Sequence, residues 1–159
     1  MTGLAHLRQL SAWVRWEPDL DTAAAVLSAI AMIPLYYLSV HLTGWPGTVA
    51  VCIQMVLLGV VFPVWWLVWH RKKTLADLGI TRAHKAISIL AGIFLALLFC
   101  HQLFALVSGP ALIPQLLVNV CMFWEPFFVF GWLFLCFYRA FGIVPGIIFT
   151  SLAFAAYHI

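Results

Sequence analysis

Five long apolar segments make up most of this chain and restrict its possible folds more than any other feature. Each approaches or exceeds the roughly 17 to 25 residues that a helix needs to cross about 30 Å of hydrocarbon. Because backbone groups in lipid must bond to one another, such segments predict helices rather than open strands. The sequence therefore predicts an all-α, polytopic transmembrane helical bundle of about five spans, at residues 22–41, 48–69, 86–108, 112–138 and 143–159.

The composition excludes an ordinary soluble domain. Hydrophobic residues form 65% of the chain and charged residues 8%, whereas soluble domains average roughly 45 to 50% and about 25%. We therefore expect a multi-pass protein of the cell membrane whose immediate partner is the lipid bilayer. The net charge of +3 does not imply a nucleic-acid partner, and the sequence leaves the oligomeric state open.

The positively charged residues predict how the spans are oriented. They lie in the N-terminal segment, in the loop after the second span and in the loop after the fourth, so the positive-inside rule places the N-terminus in the cytoplasm. Residues 1–21 are interpreted as a cytoplasmic or interfacial segment, either an amphipathic helix or a frayed terminus, and residues 22–159 as one transmembrane domain. The eight positive residues are Arg8, Arg15, Arg71, Lys72, Lys73, Arg82, Lys85 and Arg139.

Glu125 is the only carboxylate inside any of the apolar segments. A charge at the bilayer centre costs roughly 2.5 to 3.5 kcal/mol, and such residues usually face a cavity or a bundle interior and have a function there. At about 1.5 Å per residue from the cytoplasmic ends, Glu125 lies about 20 Å along its segment, and His101 and His158 each lie about 22 Å along theirs. The sequence thus predicts that these protonatable side chains share one depth.

A carboxylate and an imidazole in a poorly solvated cavity are suited to activating water. Glu125 would be the general base, and His158 would orient the water or stabilise a developing oxyanion. Proton relay is the rival use of the same two groups. Pro126 directly follows Glu125 and lacks a backbone N–H, so we expect the fourth helix to kink beside the carboxylate.

Three more residues are candidates for supporting this pair. Phe154 precedes His158 by four residues and therefore lies on the same helix face. Asn119 and His101 are interpreted as residues that hydrogen-bond between neighbouring helices. We expect no metal site from these residues, since one Glu and one His fall short of the three protein ligands that zinc normally uses.

The last part of the chain resembles the CAAX-protease and bacteriocin-processing family of intramembrane peptidases, which includes the type II CAAX prenyl endopeptidases. Glu125 followed by Gly131 and Trp132 is similar to the first family motif, and Phe154 with His158 is similar to the second. The connection YRAFGIVPGIIFTSLAF and the earlier stretch TLADLGIT also resemble the family. The likeness covers roughly residues 74–159.

The resemblance implies hydrolysis of peptide bonds in membrane-associated peptides or proteins, with Glu125 activating water and His158 assisting. It leaves the cofactor unknown, because zinc enters only through the metallopeptidase label that many family members carry. Pro126 stands where the family has a second Glu, and Phe130 stands where it has an Arg. The third motif, His-x-x-x-Asn or Asp, does not occur after His158, so we expect a chain that is truncated relative to the family.

Two other functions stay open. The chain could be a non-catalytic membrane or immunity relative of the family, a hypothesis that the missing third motif favours. It could also be a small proton-relay or transport subunit built on Glu125, His101 and His158. The lack of internal repeats and of paired broken helices weakens this last hypothesis.

Overall fold

A computed structural model describes residues 13–80 and 123–158 of the chain, together with isolated positions between them. Every regular element in these residues is a helix, which confirms the all-α fold class. The chain divides into two compact units, one formed by the residues up to Gly79 together with those from Trp124 onward, and one from Ile80 to Phe123. The isolated described positions are 86, 89, 90, 93, 94, 97, 98, 101, 109 and 113.

The first helix of the first unit, α1, spans Leu20–His41. A capping box starts it: the Thr22 N–H donates to Asp19 Oδ1 at 2.9 Å, and the Asp19 N–H donates to Thr22 Oγ1 at 3.2 Å. This cap explains why the helix begins two residues before the predicted 22–41 segment. Residues 15–19 before it are not helical, so the amphipathic helix that was one of two alternatives for residues 1–21 does not continue through them.

The second helix, α2, spans Gly44–His70 and includes the predicted 48–69 segment. It starts at Gly44 because Pro46 fits the first turn, where a missing N–H costs no hydrogen bond. Its backbone alternates between α and π bonding; for example, the Phe62 N–H donates to the Leu57 carbonyl five residues earlier. The successive parts are Gly44–Cys52 (α), Ile53–Val61 (π), Phe62–Val64 (α) and Trp65–His70 (π).

A short 3₁₀ helix, Leu75–Leu78, follows α2. Thr74 and Asp77 form its capping box, in which the Thr74 N–H donates to Asp77 Oδ2 at 3.0 Å. Gly79 ends it with a φ of 78°, a left-handed conformation that glycine adopts without strain.

The third helix, α3, covers residues 124–141 and is π-bonded in its middle. It begins at Trp124 after a turn at Phe123, so Pro126 lies in the first turn rather than in mid-helix. The kink predicted at Pro126 is therefore wrong, because a first-turn proline removes no bond that the helix needs. The parts of α3 are Trp124–Pro126 (α), Phe127–Phe134 (π) and Leu135–Phe141 (α).

The fourth helix, α4, spans Ile143–Tyr157 and is joined to α3 by Gly142 alone. Gly142 has a φ of 88°, and a Cβ atom there would lie 2.8 Å from the Trp13 carbonyl oxygen. Nearby, the Arg15 N–H donates to the Phe141 carbonyl at 2.9 Å. The non-helical stretch before α1 is therefore bound to the end of α3 through its backbone.

The core of the first unit is mainly aromatic and apolar on α3, whereas on α1 it consists of small or polar residues together with Met32. Trp132 and Phe128 of α3 are fully buried, and the Trp132 indole N–H donates to the Ser28 hydroxyl at 2.9 Å. The buried residues of α1 are Asp21, Thr22, Ala24, Ala25, Ser28, Ala29 and Met32. The large apolar side chains of the same helix, such as Leu27 and Ile30, are exposed. This arrangement is the reverse of a soluble helix, whose large apolar residues face the core.

Two described helices, α1 and α2, are long and apolar enough to cross a membrane. In the most apolar part of each helix, only 28% of α1 and 22% of α2 is buried inside the structure. The core helix of a soluble protein would be mostly buried. Helix α4 is apolar but has 15 residues, fewer than a full span. The five spans and the cytoplasmic N-terminus stay predictions, since much of the third segment and the first part of the fourth lie outside the described residues.

A buried carboxylate joins the start of α1 to the end of α2. Asp21 is 2% exposed, and its Oδ1 accepts hydrogen bonds from Trp66 Nε1 at 3.0 Å and Arg71 Nε at 2.8 Å. Its Oδ2 pairs with the Lys73 ammonium. Arg71 and Lys73, after the end of α2, thus contact the first turn of α1, where an acid also interacts favourably with the helix dipole.

Candidate functional site

Glu125 lies in the first turn of α3, and its side chain is only 17% exposed. The Tyr157 hydroxyl donates a hydrogen bond to Glu125 Oε1 at 3.0 Å. His158 Nε2 lies 3.2 Å from the same oxygen. The structure therefore brings the two predicted catalytic residues, Glu125 and His158, into direct contact between the start of α3 and the end of α4.

The other ring nitrogen of His158 decides how this contact is protonated. His158 Nδ1 lies 2.9 Å from the Phe154 carbonyl oxygen, which can only accept, so Nδ1 carries a hydrogen. If the ring is neutral and its hydrogen is on Nδ1, then Nε2 is an acceptor. Two acceptors, Nε2 and Glu125 Oε1, would then face each other with no hydrogen between them. The contact at 3.2 Å therefore requires one further proton, held either by Nε2 or by the Glu125 carboxyl group.

Tyr157 was not singled out from the sequence, although the structure makes it the second partner of Glu125. It is 2% exposed, and its ring packs 5.7 Å from the Tyr36 ring and 5.5 Å from the Phe154 ring, measured between centroids. A tyrosine in an apolar helix needs a partner for its hydroxyl group. That requirement, at the position next to His158, is the signal that could have identified it.

Two cavities adjoin this group of side chains. The first measures about 330 Å³ and is lined by Glu125 and by mainly apolar residues of α3 and α4. The second measures about 290 Å³ and lies between α1 and α4, where Tyr157 and His158 contribute to its wall together with His41. Glu125 therefore lines the first cavity, while both of its hydrogen-bonding partners line the second. The other residues that line the first cavity are Pro126, Val129, Phe130, Thr150, Ser151 and Phe154.

The supporting residues predicted from the sequence are only partly placed. Phe154 contacts His158 twice, through its carbonyl oxygen and through its ring, whose centroid lies 4.4 Å from the imidazole centroid. Pro126 lines the first cavity beside Glu125. His101 belongs to the second unit and occupies an exposed helical position there. Asn119 lies outside the described residues.

The described residues of this site do not fit a zinc ion. Zinc is considered because many members of the resembled family are labelled metallopeptidases. Glu125 and His158 provide two side chains, and both are already engaged: Glu125 Oε1 with Tyr157 and His158, and His158 Nδ1 with Phe154. A catalytic zinc site normally has three protein ligands. Among the residues that the structure describes, no group of three or more His, Cys, Asp or Glu side chains could hold a metal.

Comparisons with protein-family models, with curated proteins and with solved structures found no significant match for the chain.

Proposed function

We propose that the protein is an intramembrane peptidase-like hydrolase that cleaves peptide bonds of membrane-associated substrates, with Glu125 activating water and His158 assisting. The observation that supports this most directly is the contact of the Glu125 carboxylate with the His158 imidazole beside a mainly apolar cavity. A base and a positively charged donor in a poorly solvated cavity are the groups that water attack on a carbonyl carbon needs.

Location in the cell membrane is part of this proposal. Helix α1 buries alanine, serine and threonine and exposes leucine, isoleucine and valine, a pattern that suits close helix packing inside and lipid outside. The described cations Arg71, Lys73 and Arg139 lie near the ends of α2 and α3, which supports one cytoplasmic face for these ends. We accordingly propose a multi-pass protein with its N-terminus in the cytoplasm.

In the proposed reaction, Glu125 takes one proton from a water molecule as the water oxygen bonds to the peptide carbonyl carbon. The carbonyl oxygen becomes an oxyanion, which the positive charge on the His158 ring stabilises. The oxyanion then collapses, the carbon–nitrogen bond breaks, and Glu125 returns its proton to the departing amine. One water molecule is consumed, and a carboxyl group and an amine are released.

Cleavage of a membrane-anchored peptide library by the purified protein in liposomes tests this function. Replacing Glu125 by Gln should lower the cleavage rate about 10²-fold or more, because a general base typically contributes about 10²- to 10⁴-fold. Glu17→Gln is the matched control, since Glu17 is exposed and its side chain has no hydrogen bond among the described residues. Equal cleavage by the wild type and by Glu125→Gln would remove Glu125 from the mechanism, and no cleavage by the wild type would favour a non-catalytic membrane or immunity protein.

Proton relay is a second candidate, because the contact between Glu125 and His158 holds one exchangeable proton between two cavities. In this function the proton would pass between the first cavity, at Glu125, and the second, at His158. Liposomes loaded with a pH-sensitive dye and carrying a proton gradient would show flux through the wild type and a loss of flux in His158→Phe. A flat trace with the wild type would exclude the relay.

A further inference from the structure

Tyr157 and His158 bind the same oxygen of Glu125. Their polar atoms lie 3.0 Å and 3.2 Å from Oε1, whereas no described residue donates a hydrogen bond to Oε2. One oxygen of the carboxylate is therefore held by Tyr157, the last residue of α4, and by His158, which follows it. Glu125 also lines the first cavity.

The Tyr157 hydroxyl also affects which group holds the shared proton. An ionised carboxylate oxygen accepts two hydrogen bonds readily, whereas the hydroxyl oxygen of a protonated carboxyl group is a poorer acceptor. A donor at Oε1 therefore stabilises the ionised form of Glu125 over the acid form. With Nδ1 already carrying a hydrogen toward Phe154, the shared proton then resides on His158 Nε2.

We infer that Tyr157 is a positioning residue that keeps Glu125 ionised, with the shared proton on His158 and Oε2 free toward the cavity. This inference deepens the proposed function and rests on it for its catalytic meaning. In the proposed reaction, Oε2 of Glu125 then accepts the proton from water, and the His158 imidazole carries its positive charge before substrate binds.

Tyr157 itself does not act on substrate in this arrangement. It is 2% exposed, it is absent from the lining of the first cavity, and its ring is enclosed by the Tyr36, Phe154 and His158 rings. The other titratable groups near His158 are Tyr36 of α1, whose ring lies 4.8 Å from the imidazole, and Tyr37 and His41, which line the second cavity with it. Among the described residues, Glu125 is thus the one carboxylate in contact with the imidazole.

Infrared spectroscopy of the purified protein at neutral pH tests the inference without any cleavage assay. The wild type should show no carbonyl band of a protonated Glu125, while Tyr157→Phe should show one, because the donor to Oε1 is gone. The band should disappear in the double variant Tyr157→Phe, Glu125→Gln, which assigns it. Tyr36→Phe is the matched control, since Tyr36 packs against Tyr157 and His158 but has no hydrogen bond to Glu125 among the described residues.

Two results would overturn the inference: an unchanged spectrum in a folded Tyr157→Phe variant, or a protonated Glu125 band in the wild type. Nitrogen NMR of the His158 ring in the wild type provides a check that needs no folded variant. Hydrogens on both ring nitrogens are expected, and a neutral ring contradicts the inference. A wild type that shows these spectra but cleaves nothing would instead refute only the proposed hydrolysis.

Discussion

Replacing Asp21 by Asn perturbs the buried carboxylate that joins α1 to the loop after α2. The Asn oxygen can still accept the hydrogen bond from Trp66, now 3.0 Å from Oδ1. The new amide group, however, places a donor opposite the Lys73 ammonium, where the carboxylate had an acceptor. The negative charge facing Arg71 at 2.8 Å is also lost.

The size of the effect follows from the exposure of the partners. Breaking a fully buried ion pair costs about 3 to 5 kcal/mol, because one charge is left without compensation. Here the Arg71 and Lys73 side chains are each 30% exposed, so water can replace part of what Asp21 provides. We therefore expect Asp21→Asn to lower the free energy of unfolding by about 2 to 3 kcal/mol, and Asp21→Ala by about 1 kcal/mol more because Trp66 also loses its acceptor.

Unfolding by sodium dodecyl sulfate in mild detergent micelles, followed by circular dichroism, measures this free energy. Glu17→Gln removes the same charge from an exposed side chain nearby and should change it by less than about 0.5 kcal/mol. If Asp21→Asn lost less than about 0.5 kcal/mol, like the expected control, the ion pair would contribute nothing and the reasoning from burial would be refuted. A loss of about 2 kcal/mol or more in both variants would instead indicate a general effect of net charge.

Two further predictions concern packing and pH. A Cβ atom at Gly59 would lie 2.5 Å from Trp124 Cε3, so Gly59→Ala should destabilise the protein by about 1 to 3 kcal/mol, and Trp124→Phe in the same chain should restore part of that loss in the same unfolding assay. For Asp77, burial raises the pKa of the carboxyl group, but hydrogen bonds from Thr74 and the positive charges of Arg139 and Lys73 outweigh it and hold the pKa below the usual 3.8. A group whose pKa is lowered in the folded state stabilises the protein above its unfolded-state pKa, and this stabilisation disappears as the pH falls through the folded-state pKa. Wild type and Asp77→Asn should therefore differ in stability at neutral pH and converge as the pH falls below the lowered pKa of Asp77. A difference that persisted at low pH would contradict this assignment.

The helical segments could be predicted from apolar run length, and their ends could not. Residues 22–41 became Leu20–His41 because the Asp19 cap starts the helix ahead of Asp21, a charged residue that lies outside the apolar run. Residues 48–69 became Gly44–His70 because Pro46 is compatible with a first helical turn. The π-bonded stretches of α2 and α3 have no sequence signature of comparable strength. Run length reports how much of a chain is apolar, whereas helix ends depend on local hydrogen bonds.

Two members of the site, Glu125 and His158, were predictable from the sequence. Glu125 and His158 could be identified because placing a protonatable side chain in the hydrocarbon of a bilayer costs free energy. The structure places the two side chains in contact. Tyr157 was missed because tyrosine is ordinary in such segments and only its burial reveals the need of its hydroxyl group. Asp21 was missed for a related reason, since an acid at a helix start is commonplace and its burial comes from Trp66, 45 residues away in the chain.

The hydrogen bonds between distant parts of the first unit also imply an order of assembly during synthesis. The pair of Asp21 with Lys73 joins residues that are 52 apart, so it can form once the ribosome has released the first two helices. Arg15 bonds to the Tyr138 carbonyl, 123 residues later, and so must wait until α3 is complete. The stretch around Arg15, although synthesised before α1, is therefore bound only after α3, and a chain halted before α3 would leave this stretch accessible to proteases.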